Sequence, residues 1–453
     1  MGNPMINTGR RRTLGLLGAL GSTTLAGCCL PSQFRRSDIV DGLAFADGPP
    51  LLGAAKARPV ASLPFRAIDT HAHFFNASDA AVTGYLVHSI GHTQSPAIRR
   101  LLAAMQGVLN ALVKIAPTAA DEYAQLVDLN KMSLAGRDQA LADAIGKRKD
   151  LIVEALLKEM RRQGADRAYL DALREVQRNA TDASVPGQLT EGMLQRALEF
   201  DPGRESLAFA SGEHPDGVLQ FLRCMLQERW MSLALFRDGY EAAGVEAAFG
   251  ALVDFDHWYK CAGRSSLRDQ VKLHALISCL SGGYLMPLVA YNPWTDLVED
   301  GAALELVRSA VEDYGFVGVK IYPPVGFLPY GNAGADNLPV IRNGPDRAAL
   351  DRRLEALFTW CARNDVPVMA HGNSTMGRDN RGDELGGPDG WGNVVRLLRG
   401  KGLSPPVNIG HFGGDSEAGQ DWPSGFAGLM ASEGGERIYA DIGYWSALPR
   451  CRP

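Results

Sequence analysis

The most restrictive feature of this sequence is a series of short apolar runs that alternate with amphipathic helical patterns from about Ala251 onward. Apolar runs without polar alternation are typical of strands buried on both faces, and regular alternation with helices favours a parallel sheet. With an earlier run at Ala67, the candidate strands number seven: AIDTHAHFF, ALVDFDHW, LMPLVAYNP, GFVGVKIYPP, VPVMAHGN, PVNIGHFGG and RIYADIGYW. We therefore predict an α/β fold, a (β/α) TIM-type barrel that is incomplete because a closed barrel has eight strands.

The segment between the first two candidate strands has a different pattern. Its stretches IRRLLAAMQGVLNALVKI and LIVEALLKEMRRQ carry apolar residues at three- and four-residue spacings, with charges on the other face. This spacing is typical of amphipathic helices. We expect a helical insertion after strand 1, at about residues 95–245, within a barrel domain that covers residues 65–453.

The amino terminus has the layout of an export signal. Three arginines from Arg10 precede an apolar run of small residues that ends at Cys28, as in a signal peptide. The LAGC stretch resembles a bacterial lipobox, whose cysteine is lipid-modified, and the arginines resemble a twin-arginine signal. The alternative to a signal peptide is that the apolar run forms a short amphipathic or buried helix. We expect residues 1–28 to be a signal peptide and 29–64 a tether. The protein would then be exported, either periplasmic or held at the membrane through lipid alone.

The charge balance argues against a nucleic-acid partner. The formal net charge is -5, from 46 basic and 51 acidic residues, without the excess of lysine and arginine that nucleic-acid binding needs. The remaining cysteines form no closely spaced pairs, so neither a zinc ribbon nor a dense disulfide framework is indicated. We expect a small-molecule substrate, and the pattern leaves the oligomeric state open.

Four of the nine histidines fall at the carboxyl ends of candidate strands: His71, His73, His371 and His411. The first two are separated by one residue and should share a face of the first strand, together with Asp69. Neutral imidazole is a good ligand for zinc, and a catalytic ion keeps one position for water. The sequence thus predicts a site for one or two divalent metal ions, zinc being the first candidate. A single HxH pair also occurs in strands for packing or hydrogen bonding. We expect the other five histidines to lie at the surface or behind the metal ligands: His88, His92, His214, His257 and His274.

Lys320 lies in the apolar run of the fourth candidate strand. An ammonium group in such a place costs free energy unless it is paired or chemically changed. One interpretation is carbamylation, which would turn Lys320 into a carboxylate that bridges two metal ions. The other is a lysine whose end reaches solvent at the mouth of the barrel.

Together these motifs resemble the amidohydrolase superfamily, and more narrowly its amidohydrolase-2 type of metal-dependent TIM-barrel hydrolases. The similarity runs from about Ala67 to Trp445 outside the insertion, and its motifs are DTHAH, GVKIYPP, MAHGN and IGHFGG. In that family the first-strand pair and a fourth-strand lysine or acid hold one metal ion, and the fifth- and sixth-strand histidines hold or flank a second. The resemblance assigns these roles here to His71, His73, Lys320, His371 and His411.

One departure from the family concerns the proton shuttle. The resemblance implies an aspartate on an eighth strand, two βα units beyond the strand that carries His411. Only RIYADIGYW follows, which places Asp441 on strand seven, and the tail SALPRCRP has no strand or helix pattern. We therefore leave the catalytic residue unassigned, since Asp441 could take this role only if the strand order were shifted. We expect a truncated or frame-altered chain, whose open sheet would expose two edges.

The function expected from these patterns is that of an exported metal-dependent hydrolase, in which a metal-activated water attacks an amide, ester or lactone. One alternative is a mononuclear lactonase or non-oxidative decarboxylase of the same superfamily, with His71, His73 and His371 as ligands and Lys320 unmodified. Another is an inactive lipoprotein that binds a ligand or partner through its insertion. The loops AYNPW and IYPPVGFLPYGN, after strands three and four, are expected to shape the substrate pocket.

Overall fold

The computed structural model describes residues 67–80, 96–177, 185–199, 215–241, 244–256, 263–335, 344–373, 383–404, 406–414 and 421–443. The predicted signal peptide, Cys28, the tether and the tail SALPRCRP lie outside these residues.

Seven parallel strands form one sheet in which the spatial order follows the chain. They are β1 Ala67–Ala72, β2 Val245–Ala251, β3 Leu285–Tyr291, β4 Gly318–Ile321, β5 Val368–His371, β6 Val407–Gly410 and β7 Ile438–Ala440. The sheet curls into a half barrel, which confirms the prediction of an α/β fold with seven parallel strands. Among the described residues β1 and β7 are the two ends of the sheet, and each pairs with one neighbour.

The second strand was placed too late in the sequence. The run ALVDFDHW was expected to form it, but β2 ends at Ala251 and most of that run follows the strand. The reason is that β2 consists largely of small residues, so it lacks a long aliphatic run. A side chain at Gly250 would meet Leu285 Cδ1 at 2.5 Å and Phe74 Cδ2 at 3.1 Å, which means that larger neighbours already fill the space beside this strand.

Thirteen α-helices lie among the described residues. They are α1 Pro96–Leu112, α2 Ala119–Asn130, α3 Leu134–Gln163, α4 Ala165–Gln177, α5 Glu191–Ala197, α6 Pro215–Leu226, α7 Arg229–Tyr240, α8 Leu267–Leu280, α9 Pro293–Val298, α10 Ala302–Glu312, α11 Arg347–Asn364, α12 Pro388–Arg399 and α13 Trp422–Met430. Helices α1 to α7 occupy the segment between β1 and β2, and at least one helix follows each strand from β2 to β6. Short 3-10 turns complete the described secondary structure at Val113–Ile115, Pro323–Val325, Asn332–Gly334, Asp383–Gly386 and His411–Gly413.

The starts of these helices follow local sequence signals. Thr118 caps α2 in a capping box with Asp121, and Ser133 and Ser266 cap α3 and α8 through their hydroxyl groups. Such caps satisfy backbone N–H groups that have no partner in the first helical turn. Gly164 caps the carboxyl end of α3, and its φ of 72° lies in the left-handed region that favours glycine.

One apolar core joins the sheet to the inserted helices. Leu101 of α1, Leu226 of α6 and Leu276 of α8 are all fully buried in it. No single helix of the described chain has the length and apolar content to cross a membrane, although the bent pair Pro96–Ile115 and Ala119–Asn130 meets that criterion together. Much of this pair lies in the core.

A buried ion cluster connects the segment after β1 to the insertion. Arg229 at the start of α7 is fully buried and donates hydrogen bonds to both oxygens of Asp79 and to Glu122 of α2. It also donates from Nη2 to Ser78 Oγ at 2.8 Å. Burial raises the pKa of Glu122 to about 7, against the opposing effect of the Arg229 charge. The cluster therefore fixes the chain a few residues beyond the end of β1.

His274 lies behind the strand end that carries the HxH pair. It is fully buried in α8, and its Nε2 and Nδ1 lie 3.0 Å from the carbonyl oxygens of Phe74 and Gln270. Its location agrees with a supporting position behind the ligands and not with a surface position. The other four histidines outside the predicted ligand set fall outside the described residues.

Candidate metal centre

The structure brings the five predicted ligands together at the carboxyl-terminal edge of the sheet. They come from four strands: His71 lies on β1 and His73 directly after it, Lys320 on β4, His371 at the end of β5 and His411 directly after β6. The ring centroids of His71 and His411 are 4.5 Å apart, those of His71 and His73 are 5.3 Å apart, and those of His371 and His411 are 4.6 Å apart. The carboxyl ends of parallel strands are where α/β folds build their sites.

Lys320 points into this cluster. Its side chain is 1% exposed, and Nζ lies 3.2 Å from His71 Nε2. Among the described residues it forms no ion pair, and burial lowers its pKa to about 7, against a weaker opposing effect of Asp441. The interpretation in which this lysine reaches solvent is wrong, because the strand holds the amine inside.

The four imidazoles are neutral at neutral pH because burial lowers the pKa of each one. The pKa values of His73 and His371 lie well below the ordinary range. The pKa of His411 falls to about 3, through burial and then through the neighbouring His71. Burial, followed by the charge of Lys320, likewise lowers the pKa of His71. A neutral imidazole has one N–H and one lone pair, and the lone pair is what binds a metal ion.

Backbone carbonyls select the nitrogen that carries the proton on two of these rings. His73 Nδ1 lies 2.9 Å from the carbonyl oxygen of Ala251, and His411 Nδ1 lies 3.1 Å from that of Gly443. A carbonyl oxygen only accepts, so each Nδ1 donates its hydrogen. The lone pairs of both rings therefore lie on Nε2, which is the tautomer of a histidine that binds a metal ion through Nε2.

One ring nitrogen of His371 is open to a bound group. Its Nε2 is buried and has no hydrogen-bond partner among the described residues. Its ring stacks on Tyr322 with centroids 4.2 Å apart. Buried polar atoms without partners are rare because they lose the hydrogen bonds they make with water. Coordination to a metal ion would satisfy this nitrogen.

Asp441 belongs to the same cluster, although it was not among the ligands predicted from the sequence. It directly follows β7, its side chain is 11% exposed, and Oδ2 lies 3.1 Å from His71 Nδ1. Ligand atoms of His71, His411 and Asp441 all lie within 4.8 Å of one another. The signal was present, because Asp441 ends a strand just as the histidines do. The family pattern directed attention to an eighth strand instead.

The turn after β6 has an unusual backbone. His411 and Phe412 have φ values of 68° and 44°, which non-glycine residues seldom adopt, and the φ values of Gly413 and Gly414 are also positive. The backbone N–H of His411 donates to Asp441 Oδ1 at 2.9 Å. Strained residues of this kind persist where the surrounding structure holds them, and they cluster at functional sites.

Gly410 leaves room for the His71 ring, and this yields a testable prediction. A Cβ atom at Gly410 would meet His71 Cε1 at 2.7 Å and the carbonyl oxygen of Ala370 at 2.8 Å. We expect Gly410→Ala to displace the ring. If the cluster holds Zn²⁺, as proposed below, the substitution should lower the affinity about 10-fold or more, as the loss of an orienting contact does. Competition with a chelating dye measures the affinity. Gly428→Ala in α13 is the control, because a Cβ there meets nothing within 4 Å; equal affinities in the two variants would contradict the packing argument.

Comparison of the chain with protein-family models, with curated proteins and with solved structures found no match. The fold and the site define an α/β protein with a cluster of imidazoles, one amine and one carboxylate at the carboxyl-terminal edge of a curled parallel sheet.

Proposed function

We propose that this chain is a metal-dependent hydrolase of the amidohydrolase type, and that its half barrel corresponds to seven strands of a TIM-type barrel. The observation that carries the proposal is the convergence of metal-ligand side chains from five strands at one edge of the sheet: His71, His73, Lys320, His371, His411 and Asp441. Barrel enzymes of this architecture build their sites at the same edge.

The donor set suits a divalent ion such as zinc, which takes imidazole and carboxylate ligands. Neutral rings and the unpartnered Nε2 of His371 support this fit. In the two-ion form of the proposal, His71 and His73 would hold one ion with carbamylated Lys320 as the bridge, and His371 and His411 would hold the second. A bound ion would lower the pKa of a water molecule and polarise the carbonyl group of the substrate.

The chain itself contributes a neutral amine at the centre of the site. With a pKa of about 7, a large fraction of Lys320 is uncharged at neutral pH. The uncharged amine is the form that adds to carbon dioxide, giving a carbamate and releasing one proton. It is also the form that accepts a proton at Nζ. Burial of Lys320 on β4 therefore favours either role over that of a simple positive charge.

Aromatic side chains form one wall of the site. Tyr322, directly after β4, stacks on His371, and the ring of Phe255 meets it edge to face with centroids 4.9 Å apart. Such a wall excludes water and presents a flat apolar surface to a substrate. This supports the expectation that the loop IYPPVGFLPYGN shapes the pocket.

The same loop is held in place from behind. The carboxylate of Asp351 on α11 accepts hydrogen bonds from the backbone N–H groups of Gly331, Asn332 and Ala333 at 2.9–3.0 Å. A loop fixed by one carboxylate at three points supplies a preorganised surface, which lowers the entropy lost when a substrate binds.

A single-ion centre is the second candidate, and one observation favours it. The ligand atoms of His71, His411 and Asp441 all lie within 4.8 Å of one another, so these three residues form one compact group of potential ligands. A compact group of this kind supports a mononuclear lactonase or non-oxidative decarboxylase, although the ligands expected from the sequence for that alternative are His71, His73 and His371. The number of ions per chain separates the candidates, since the two-ion form requires two.

Export through residues 1–28, with lipid on Cys28, also stays a proposal and rests on the sequence alone.

The test is an assay of the purified chain with Zn²⁺ against a panel of esters, lactones and amides. We expect hydrolysis that a chelator abolishes and added Zn²⁺ restores. Asp365→Asn is a matched control, because Asp365 pairs with Arg437 at the surface and lies outside the cluster. Folded protein that binds no divalent ion and hydrolyses no member of the panel would contradict the proposal.

A further inference from the structure

We propose that Asp441 and Asn408 form a positioning pair that fixes the tautomer and orientation of the His71 ring. In this role Asp441 orients a ring, which is distinct from the role of a proton shuttle. The role of His71 as a ligand rests on the function proposed above, whereas the arrangement of the three side chains does not depend on it.

Both oxygens of the Asp441 carboxylate are engaged by donors. Oδ2 accepts from His71 Nδ1 at 3.1 Å and from Asn408 Nδ2 at 2.9 Å. Oδ1 accepts from the backbone N–H groups of His411 at 2.9 Å and Gly443 at 3.1 Å, and lies 3.2 Å from His71 Nδ1. These donors come from β1, β6 and the residues after β6 and β7, so the carboxylate joins the two ends of the described sheet.

The partners of the Asp441 carboxylate hold it in one orientation. Four donors reach its two oxygens, from His71 on β1, Asn408 on β6, His411 after β6 and Gly443 after β7. A carboxylate fixed in this way can hold a neighbouring N–H group in one direction.

The consequence for His71 is a defined tautomer. A carboxylate without a proton only accepts hydrogen bonds, so the neutral ring must carry its hydrogen on Nδ1. The lone pair then lies on Nε2, which faces Lys320 Nζ at 3.2 Å. A carboxylate that receives the second N–H of a histidine fixes the ring and increases its strength as a ligand.

Asn408 supports the carboxylate from the neighbouring strand. It is a polar residue inside β6, between the buried Val407 and Ile409, and it pairs in register with Tyr439 of β7. A polar side chain at such a position needs a hydrogen-bond partner. Its amide donates to Asp441 Oδ2 and so restricts the carboxylate to the orientation that receives His71.

The first test measures the tautomer directly by ¹⁵N NMR of the metal-free protein, with the His71 signals assigned through the His71→Asn variant. We expect wild-type His71 to carry hydrogen on Nδ1. Asp441→Asn and Asn408→Ala should give a mixture of tautomers, and Asp365→Asn should not. Hydrogen on Nε2 in the wild type, or an unchanged tautomer in folded Asp441→Asn, would overturn the inference. If Asp441→Asn does not fold, the wild type and Asn408→Ala still decide.

The second test separates positioning from proton transfer. Asp441→Asn is expected to lower Zn²⁺ affinity about 10- to 100-fold and Asn408→Ala by a smaller factor, because outer partners of a ligand have effects of this size. A proton shuttle would show the opposite pattern, with kcat lost and affinity kept, and that result would overturn the inference. Failure of the proposed function is distinct, since wild-type protein would then bind no Zn²⁺ while the His71 tautomer stayed as described.

Discussion

Replacement of His71 with alanine is expected to lower the Zn²⁺ affinity of the purified protein by more than about 100-fold, since the loss of an outer partner alone costs up to that factor. His71 contacts three members of the cluster: Lys320 at Nε2, Asp441 at Nδ1 and the ring of His411 by stacking. Its removal takes away one ligand and the contact that aligns the others. Competition with a chelating dye, at a pH near 7.5 where the rings are neutral, measures the change.

Two comparisons make this result specific. Asp365→Asn should bind Zn²⁺ like the wild type, because its carboxylate lies at the surface in an ion pair with Arg437. The free energy of unfolding of metal-free His71→Ala, followed by urea, shows whether the variant is folded. Folded His71→Ala with wild-type affinity would remove His71 from any metal site.

Replacement of Arg229 with leucine is expected to lower the free energy of unfolding by about 3–5 kcal/mol, the range for breaking one side of a buried ion pair. The substitution leaves Asp79 and Glu122, both fully buried as side chains, without their positive partner. Arg174→Leu is the control, because its ion pair with Asp171 is exposed and should change stability by less than about 1 kcal/mol. Urea unfolding of both variants measures the difference.

The loss in Arg229→Leu should also depend on pH. Burial raises the pKa of Glu122 to about 7 even beside Arg229, and removal of the arginine would raise it further. A carboxyl group whose pKa is raised on folding binds more protons in the folded state, so stability falls as pH rises from about 4.5 through the folded pKa. The variant should therefore lose more stability at about pH 8 than at about pH 5.5. A loss that is small and independent of pH would show that the cluster does not stabilise the fold.

The strand ends were predictable because they depend on local sequence. Lys320 and His371 follow uninterrupted apolar runs, and a parallel sheet brings the carboxyl ends of such runs to one edge. Strand β2 was misplaced because its small residues, such as Ala248 and Gly250, carry a weak apolar signal. Their size matters only against side chains from other segments, which the local sequence does not display.

The connections across the site could not be predicted in this way. Asp441 meets His71 across 370 residues of sequence, through a curl of the sheet that no local pattern specifies. The contacts of Arg229 are likewise non-local, since Asp79 lies 150 residues away along the chain. Sequence periodicity indicates which face of a strand or helix is buried, but partner choice inside the core depends on the complete packing.

The number of divalent ions held per chain tests the central claim most directly. Elemental analysis of folded protein, purified after incubation with Zn²⁺ and removal of excess metal, should give one or two equivalents. His371→Ala should retain less than the wild type, because its ring nitrogen has no other partner among the described residues. Folded wild-type protein that retains no zinc or other divalent ion would contradict the account.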